Sequence, residues 1–114
     1  MKTARKSIKS MKAGRGAVNV FAELGLPNPE ERQLKARLMY VFNEAVARSG
    51  LTQVEAAERV GLDQADISRI SYGQGSRYSV ERLMIIIAKF GLDIRIIQRH
   101  DKNGNIVVEV KELS

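Results

Sequence analysis

A chain of 114 residues, 44% of them hydrophobic, can bury one small core but not several. It has no cysteine, which excludes disulfides and thiolate metal sites, and no apolar run approaches the ~18–20 residues of a membrane span. The net charge of +6 arises in residues 1–20, where Lys2, Arg5, Lys6, Lys9, Lys12 and Arg15 meet no acid, while residues 21–114 balance 13 basic with 13 acidic side chains. A basic arm on a neutral body can seek phosphate without making the whole surface cationic. The N-terminus lacks the apolar stretch of a secretory signal, so a cytoplasmic location is expected.

In chain order, Met1–Gly16 is rich in Lys, Ser and Gly and nearly free of large apolar groups, so it is expected to be partly disordered. Ile8 and Met11, three apart, can form one weak helical face on a partner. Val18–Leu26 is too apolar for a free tail and is expected to pack on the body. Asn28-Pro29-Glu30-Glu31 reads as a helix start, with Asn28 as cap and two acids opposing the dipole. Leu34, Leu38, Val41 and Ala45 then give one helical face, and Gly50 ends the helix.

Leu51–Gly73 predicts two short helices joined by a tight turn. Thr52 and Glu55 form a capping box. Val54, Ala57 and Val60 share a face, and Ala57 is small where the helices would cross. Gly61 falls where the turn needs positive φ. Asp63 caps the second helix, and Ile67 and Ile70 turn inward. This leaves Gln64, Ala65, Ser68 and Arg69 outward, types that can meet adenine, a thymine methyl, a phosphate or guanine in the major groove. Gln53 can present its side chain and nearby N–H groups to a phosphate, and Arg77 and Tyr78 are further candidate DNA-backbone contacts. Against this, any helical hairpin needs caps, a turn Gly and an apolar inner face, and Leu51–Gly73 carries two basic and four acidic side chains.

Ser79 caps a further helix with Leu83, Ile86, Ile87 and Phe90 as its stripe and Gly91 as its stop. Asp93–Arg99 and Ile106–Val110 read as strands, with Asn103-Gly104 as a tight turn between them. A lone hairpin is marginal in water, so it needs the helical body or a second chain beneath it. The chain thus divides into a basic arm (1–27), a helix-turn-helix unit (28–92) and a C-terminal hairpin (93–114) that is one candidate dimer seam, the helix from Val80 to Phe90 being the other.

His100 is the single histidine and is expected in the hairpin turn, so no Cys/His cluster can hold zinc. No Gly-rich phosphate loop follows a strand, and Glu30 and Glu31 fit helix-dipole partners better than an acid/base pair. Neither catalysis nor a cofactor is expected.

The segment TQVEAAERVGLDQADISRISYG resembles the Cro/C1-type (XRE) helix-turn-helix family, with Gln53, Ala57, Gly61, Gln64, Ile67, Ser68 and Gly73 in matching places. The resemblance spans roughly residues 34–92. It implies a mainly α, lambda-repressor-like bundle of four to five helices, here followed by a short β-hairpin. It also implies a repressor that reads a palindromic operator in double-stranded DNA as a homodimer. The upstream run from Val20 to Leu38 is similar to the HigA-like antitoxins of toxin–antitoxin pairs, which implies a toxin of RelE/HigB type as partner and autoregulation of the operon. The alternative is an interaction module that neutralises a toxin through the N-terminal arm with little DNA role of its own. The same arm can instead track phosphates or enter a minor groove.

Overall fold

A computed structural model of the chain describes residues 19–113 except Ser76. The expectations for the arm before Asn19, including disorder and the Ile8/Met11 face, lie outside the described residues. Five helices and one antiparallel hairpin follow in order: α1 (Val20–Glu23), α2 (Pro29–Ser49), α3 (Gln53–Val60), α4 (Gln64–Ser71), α5 (Val80–Lys89), β1 (Ile94–His100) and β2 (Ile106–Glu112). This is the mainly α helix-turn-helix bundle with a C-terminal hairpin that the sequence pattern implies.

The long helix α2 is the central post. It starts where the sequence places it, but Asn28 does not cap it through its side chain. Asn28 is left-handed (φ 51°), and its carbonyl, not its amide, accepts from Arg32 N–H at 3.0 Å. Asn tolerates this conformation, and the following proline disfavours the right-handed alternative. The buried face of α2 is also shifted from the expected stripe. Leu38, Met39, Phe42 and Ala45 are buried, whereas Leu34 and Val41 are only half-buried. Both α5 and the hairpin pack on α2, which widens its covered face beyond a single stripe.

Around Phe42 the core closes with Ile67 and Ile70 of α4, Leu83, Ile86 and Ile87 of α5, and Phe90. The Phe42 and Phe90 rings meet edge to face at 5.4 Å, and the Arg59 guanidinium lies 5.0 Å over Phe90, closing the core with a charged lid. In α3 the inward residues are Ala56, Ala57 and Val60, and Val54 is 47% exposed. The expected face was therefore turned by part of a helical step. With Val60 fixed inward, 56, 57 and 60 are helical neighbours, while 54 lies away from them.

The hairpin corrects the turn as well. His100 lies in β1, paired with Ile106, and not in the turn. The loop is five residues, Asp101–Asn105. The Asp101 carboxylate accepts from Asn103 N–H at 2.8 Å and Asn105 N–H at 2.9 Å, and only Gly104 has positive φ (85°). A side chain that satisfies two loop amides favours this wider turn over a two-residue one.

The hairpin is seated on α2 by polar contacts distant in sequence. Gln33 Oε1 accepts from Val108 N–H at 2.6 Å, Asn19 Nδ2 donates to the Ile106 carbonyl at 3.1 Å, and Arg48 pairs with Glu112 at 2.6 Å. Asn19 and Gln33 are both fully buried. Asn19 also caps α1, accepting from the N–H groups of Phe21 and Ala22. Within the apolar run that ends at Leu26, packing is uneven: Phe21 is half-buried, but Leu24 is 68% exposed. No helix of the described residues is long and apolar enough to cross a membrane.

Candidate nucleic-acid interface

The α3–turn–α4 unit is built by local capping. Thr52 Oγ1 accepts from Glu55 N–H at 3.1 Å while the Glu55 carboxylate accepts from Thr52 N–H at 2.9 Å, which completes the box. Gly61 turns the chain at φ 75°. Asp63 then accepts from Asp66 N–H at 2.9 Å and opens α4. Asn43 of α2 donates to the Ile70 carbonyl at 3.0 Å and pins the far end of α4 to the central post. With Ile67 and Ile70 buried beneath it, α4 is fixed in rotation, and that decides which side chains face outward.

Gln64 and Ala65 are exposed, and Ser68 and Arg69 are half-buried beside them. The four expected base-reading residues thus lie along one side of α4. Gln53 is half-buried at the first position of α3, where the free N–H groups of a helix start collect. Arg77 is exposed in the loop after α4.

Tyr78 departs from its expected role. Its ring is buried, and its hydroxyl donates to the Asp66 carboxylate, so it is not available as a DNA-backbone contact. It acts from beneath the surface instead. Asp66 also accepts from Arg69 Nη1 at 3.0 Å, so Tyr78, Asp66 and Arg69 form a chain running outward from the core to the candidate surface of α4. The Tyr78 hydrogen bond holds the Asp66 carboxyl below the usual carboxylate range, against an opposing push from burial; Arg69 adds a smaller lowering. Burial first, and then the bond to Asp66, raise the Tyr78 phenol. Asp66, which as a bare acid would oppose a phosphate-rich partner, is thereby neutralised by Arg69 and made to orient it.

Arg82 is a further candidate that the sequence pattern does not single out. It lies on the first turn of α5, exposed, with its guanidinium 5.7 Å from the Tyr78 ring centre. It places a cation beside Tyr78, the residue that bonds Asp66 of α4. The loop carrying Arg77 and Tyr78 is set against α2 at Gly75, where a Cβ would come within 2.1 Å of Met39 Sδ.

The two-helix unit, its glycine turn, its buried inner face and its outward strip now stand together. A family profile described as a helix-turn-helix domain matches residues 20–97. The chain belongs to this family. A solved chain assigned to the XRE family of transcriptional regulators is 32% identical, covering 77% of this chain and 99% of its own, with a TM-score of 0.60. None of the curated proteins compared matches the chain. The helix-turn-helix chain described here is therefore an XRE-type member of a family of DNA-binding regulators.

Proposed function

We propose that this XRE-type protein is a sequence-specific repressor that reads a palindromic operator as a homodimer, without catalysis or a cofactor. The observation that carries this reading is the strip Gln64, Ala65, Ser68 and Arg69 on a helix whose rotation is fixed from below. One such helix reads only a few base pairs. Two copies reading half-sites about 34 Å apart reach useful specificity. Residues 21–114 carry no net charge, so the body gains little from phosphate attraction alone, and base contacts must supply most of the discrimination. The test is selection from a random duplex library followed by titration of the selected site. The expected result is a two-fold symmetric sequence bound at least ~10³-fold more tightly than unrelated duplex. Recovery of no symmetric sequence would refute the proposal.

The finer reading we propose is that the repressor is the antitoxin of a toxin–antitoxin pair, cytoplasmic, with a RelE/HigB-type ribonuclease as second partner. What supports it is the similarity of Val20–Leu38 to HigA-like antitoxins together with an arm holding six cations and no acid. Deletion of residues 1–18, which removes all six cations and spares the buried Asn19, tests it. Loss of rescue from a co-expressed neighbouring toxin, with DNA binding retained, is the expected result. Loss of DNA affinity with a shallower salt dependence, and rescue intact, assigns the arm to phosphate instead.

A further inference from the structure

The two edges of the hairpin differ. On β2 the outward groups are used: the Val108 N–H goes to Gln33 and the Ile106 carbonyl to Asn19. These bonds also fix the pleat. Since 106 and 108 face away from β1, their partners His100 and Gln98 face away from β2, and so do Ile96 and Ile94 by the two-residue period. The N–H and C=O groups of Ile94, Ile96, Gln98 and His100 make no outward hydrogen bond among the described residues. No proline or bulge interrupts β1, and Ile96 is 38% exposed on it. A straight strand with an open edge and apolar side chains is a template for another strand.

We infer that the open edge of β1 is the homodimer seam, with two β1 strands pairing antiparallel about a two-fold axis at Ile96. This inference rests on the proposal that the protein acts as a dimer, and it names the surface.

Charge selects the register. Centring on Ile96 places Ile96 opposite Ile96 of the second copy, Ile94 opposite Gln98, and Asp93 opposite Arg99. Asp93 is exposed and has no ion pair among the described residues. Arg99 is 43% exposed and already shares Glu109 at 2.6 Å, so its guanidinium retains free N–H groups on the same face. Centring on Ile97 would instead set Arg95 against Arg99 twice, and like charges directly opposite destabilise a strand pair. Centring on Gln98 would bring Arg95 to Asp101, whose carboxylate is already committed to two loop amides, and would run Ile94 past the strand end to Lys102. The Ile96 register joins two hairpins into a four-stranded sheet ordered β2-β1-β1-β2, with the reading helices of the two copies related by the same axis. An isologous interface of this kind is what a palindromic operator requires.

The chain has no cysteine, so single cysteines report the register directly. Directly opposed hydrogen-bonded residues lie about 5.5 Å apart at Cα, within the roughly 4.4–6.8 Å a disulfide spans. Full-length Ile96→Cys, Ile97→Cys and Gln98→Cys are oxidised, resolved by non-reducing gel and weighed by light scattering. The wild-type chain is expected to be a dimer, and Ile96→Cys to cross-link about tenfold faster than the other two, which would report the competing registers. A wild-type monomer, faster linking at 97 or 98, or a dimer linking at none of the three overturns the inference. Gln98→Pro removes an outward N–H that the hairpin itself does not use. It should raise the dimer dissociation constant about tenfold or more with an unchanged circular dichroism spectrum; a folded variant with the wild-type constant also overturns the inference. If this variant misfolds, the spectrum shows it and the cysteine series decides alone. Ile85→Asp, on the exposed face of α5, should leave the dimer intact, and loss of the dimer there would move the seam to α5. The two proposals fail separately. A dimer linked at Ile96 that selects no symmetric DNA removes the functional reading, whereas symmetric DNA selected by a dimer linked elsewhere removes only the seam.

Discussion

In the α3–α4 unit, the capping bonds join residues three apart: Thr52 with Glu55 and Asp63 with Asp66. In the seam between α2 and the hairpin, the corresponding bonds join Asn19 to Ile106, Gln33 to Val108 and Arg48 to Glu112, 87, 75 and 64 residues apart. The first set sits at the surface and repeats known capping patterns. The second includes two fully buried amides that cover a strand edge. The reading unit therefore sets its own local shape but depends on α2 for its rotation. The hairpin has little local support beyond its loop and takes its position from the body. It follows that function and stability should separate: damage to the contacts between α2 and the hairpin should cost stability, and damage to the outward face of α4 should not.

The largest effect is expected at Gln33. Gln33→Ala leaves the Val108 N–H buried without its partner and opens a cavity where the side chain is fully enclosed. The combined cost is expected to be about 2–4 kcal/mol in chemical denaturation. The hairpin amides should exchange with deuterium sooner than those of α3 and α4. Equal loss of protection in both regions would mean that the two halves are one cooperative unit.

This contrast also explains what was legible in sequence. Thr52-x-x-Glu55, Gly61 and Asp63 carry their geometry within a few residues, so the helix-turn-helix could be placed from pattern alone. Leu83, Ile86, Ile87 and Phe90 were legible because α5 buries a single stripe. Gln33 was not, because a glutamine on a helix is ordinarily solvated and nothing nearby marks it as the cover of a strand 75 residues away. The stripe on α2 was misplaced for a related reason, since partners on two sides bury more than one face. Tyr78 was misassigned because an aromatic in a polar loop fits a phosphate contact as well as a core anchor. Only the position of Asp66 on the adjoining helix decides between them.

The next effect falls on binding and leaves stability almost untouched. Arg69→Ala should weaken the selected site by roughly 1–3 kcal/mol and leave non-specific duplex binding nearly unchanged. Its ion pair with Asp66 is partly exposed, so the unfolding free energy should move by no more than about 1 kcal/mol. A uniform loss across all sequences would reassign Arg69 from base reading to phosphate.

Tyr78→Phe probes the link between the two roles. It keeps the buried ring and removes the hydroxyl that holds Asp66, at a cost of about 0.5–1.5 kcal/mol near neutral pH. Its pH dependence is more telling. The Asp66 carboxyl is lowered in the folded state, so its contribution is present above the ordinary value of 3.8 and is lost as pH falls through the folded value. The Tyr78 phenol is raised, so its contribution is present below its ordinary value of 10.0 and is lost as pH rises through the folded value. The substitution should therefore flatten the stability profile at both ends, as measured by denaturation midpoints across pH. It should also weaken selective DNA binding, because Arg69 loses the fixed partner that orients it. Unchanged selectivity would show that Arg69 needs no such support.

The smallest expected effect, at Val54, enters a paired test of the rotation of α3. Val54→Ser changes a residue that is 47% exposed and should shift stability by no more than about 0.5 kcal/mol. Two positions along, Ala56→Val adds two methyl groups where the side chain is fully buried, and should cost about 1–3 kcal/mol. Both changes occur on the same short helix, and neither removes a capping bond, so their difference reports which face is inward. Had Val54 faced the core, as the spacing from Ala57 to Val60 first indicates, the ranking would reverse. A reversed ranking would also turn the Gln53 side chain to a different side of α3. The position of the reading surface therefore depends on a rotation that these two substitutions can measure.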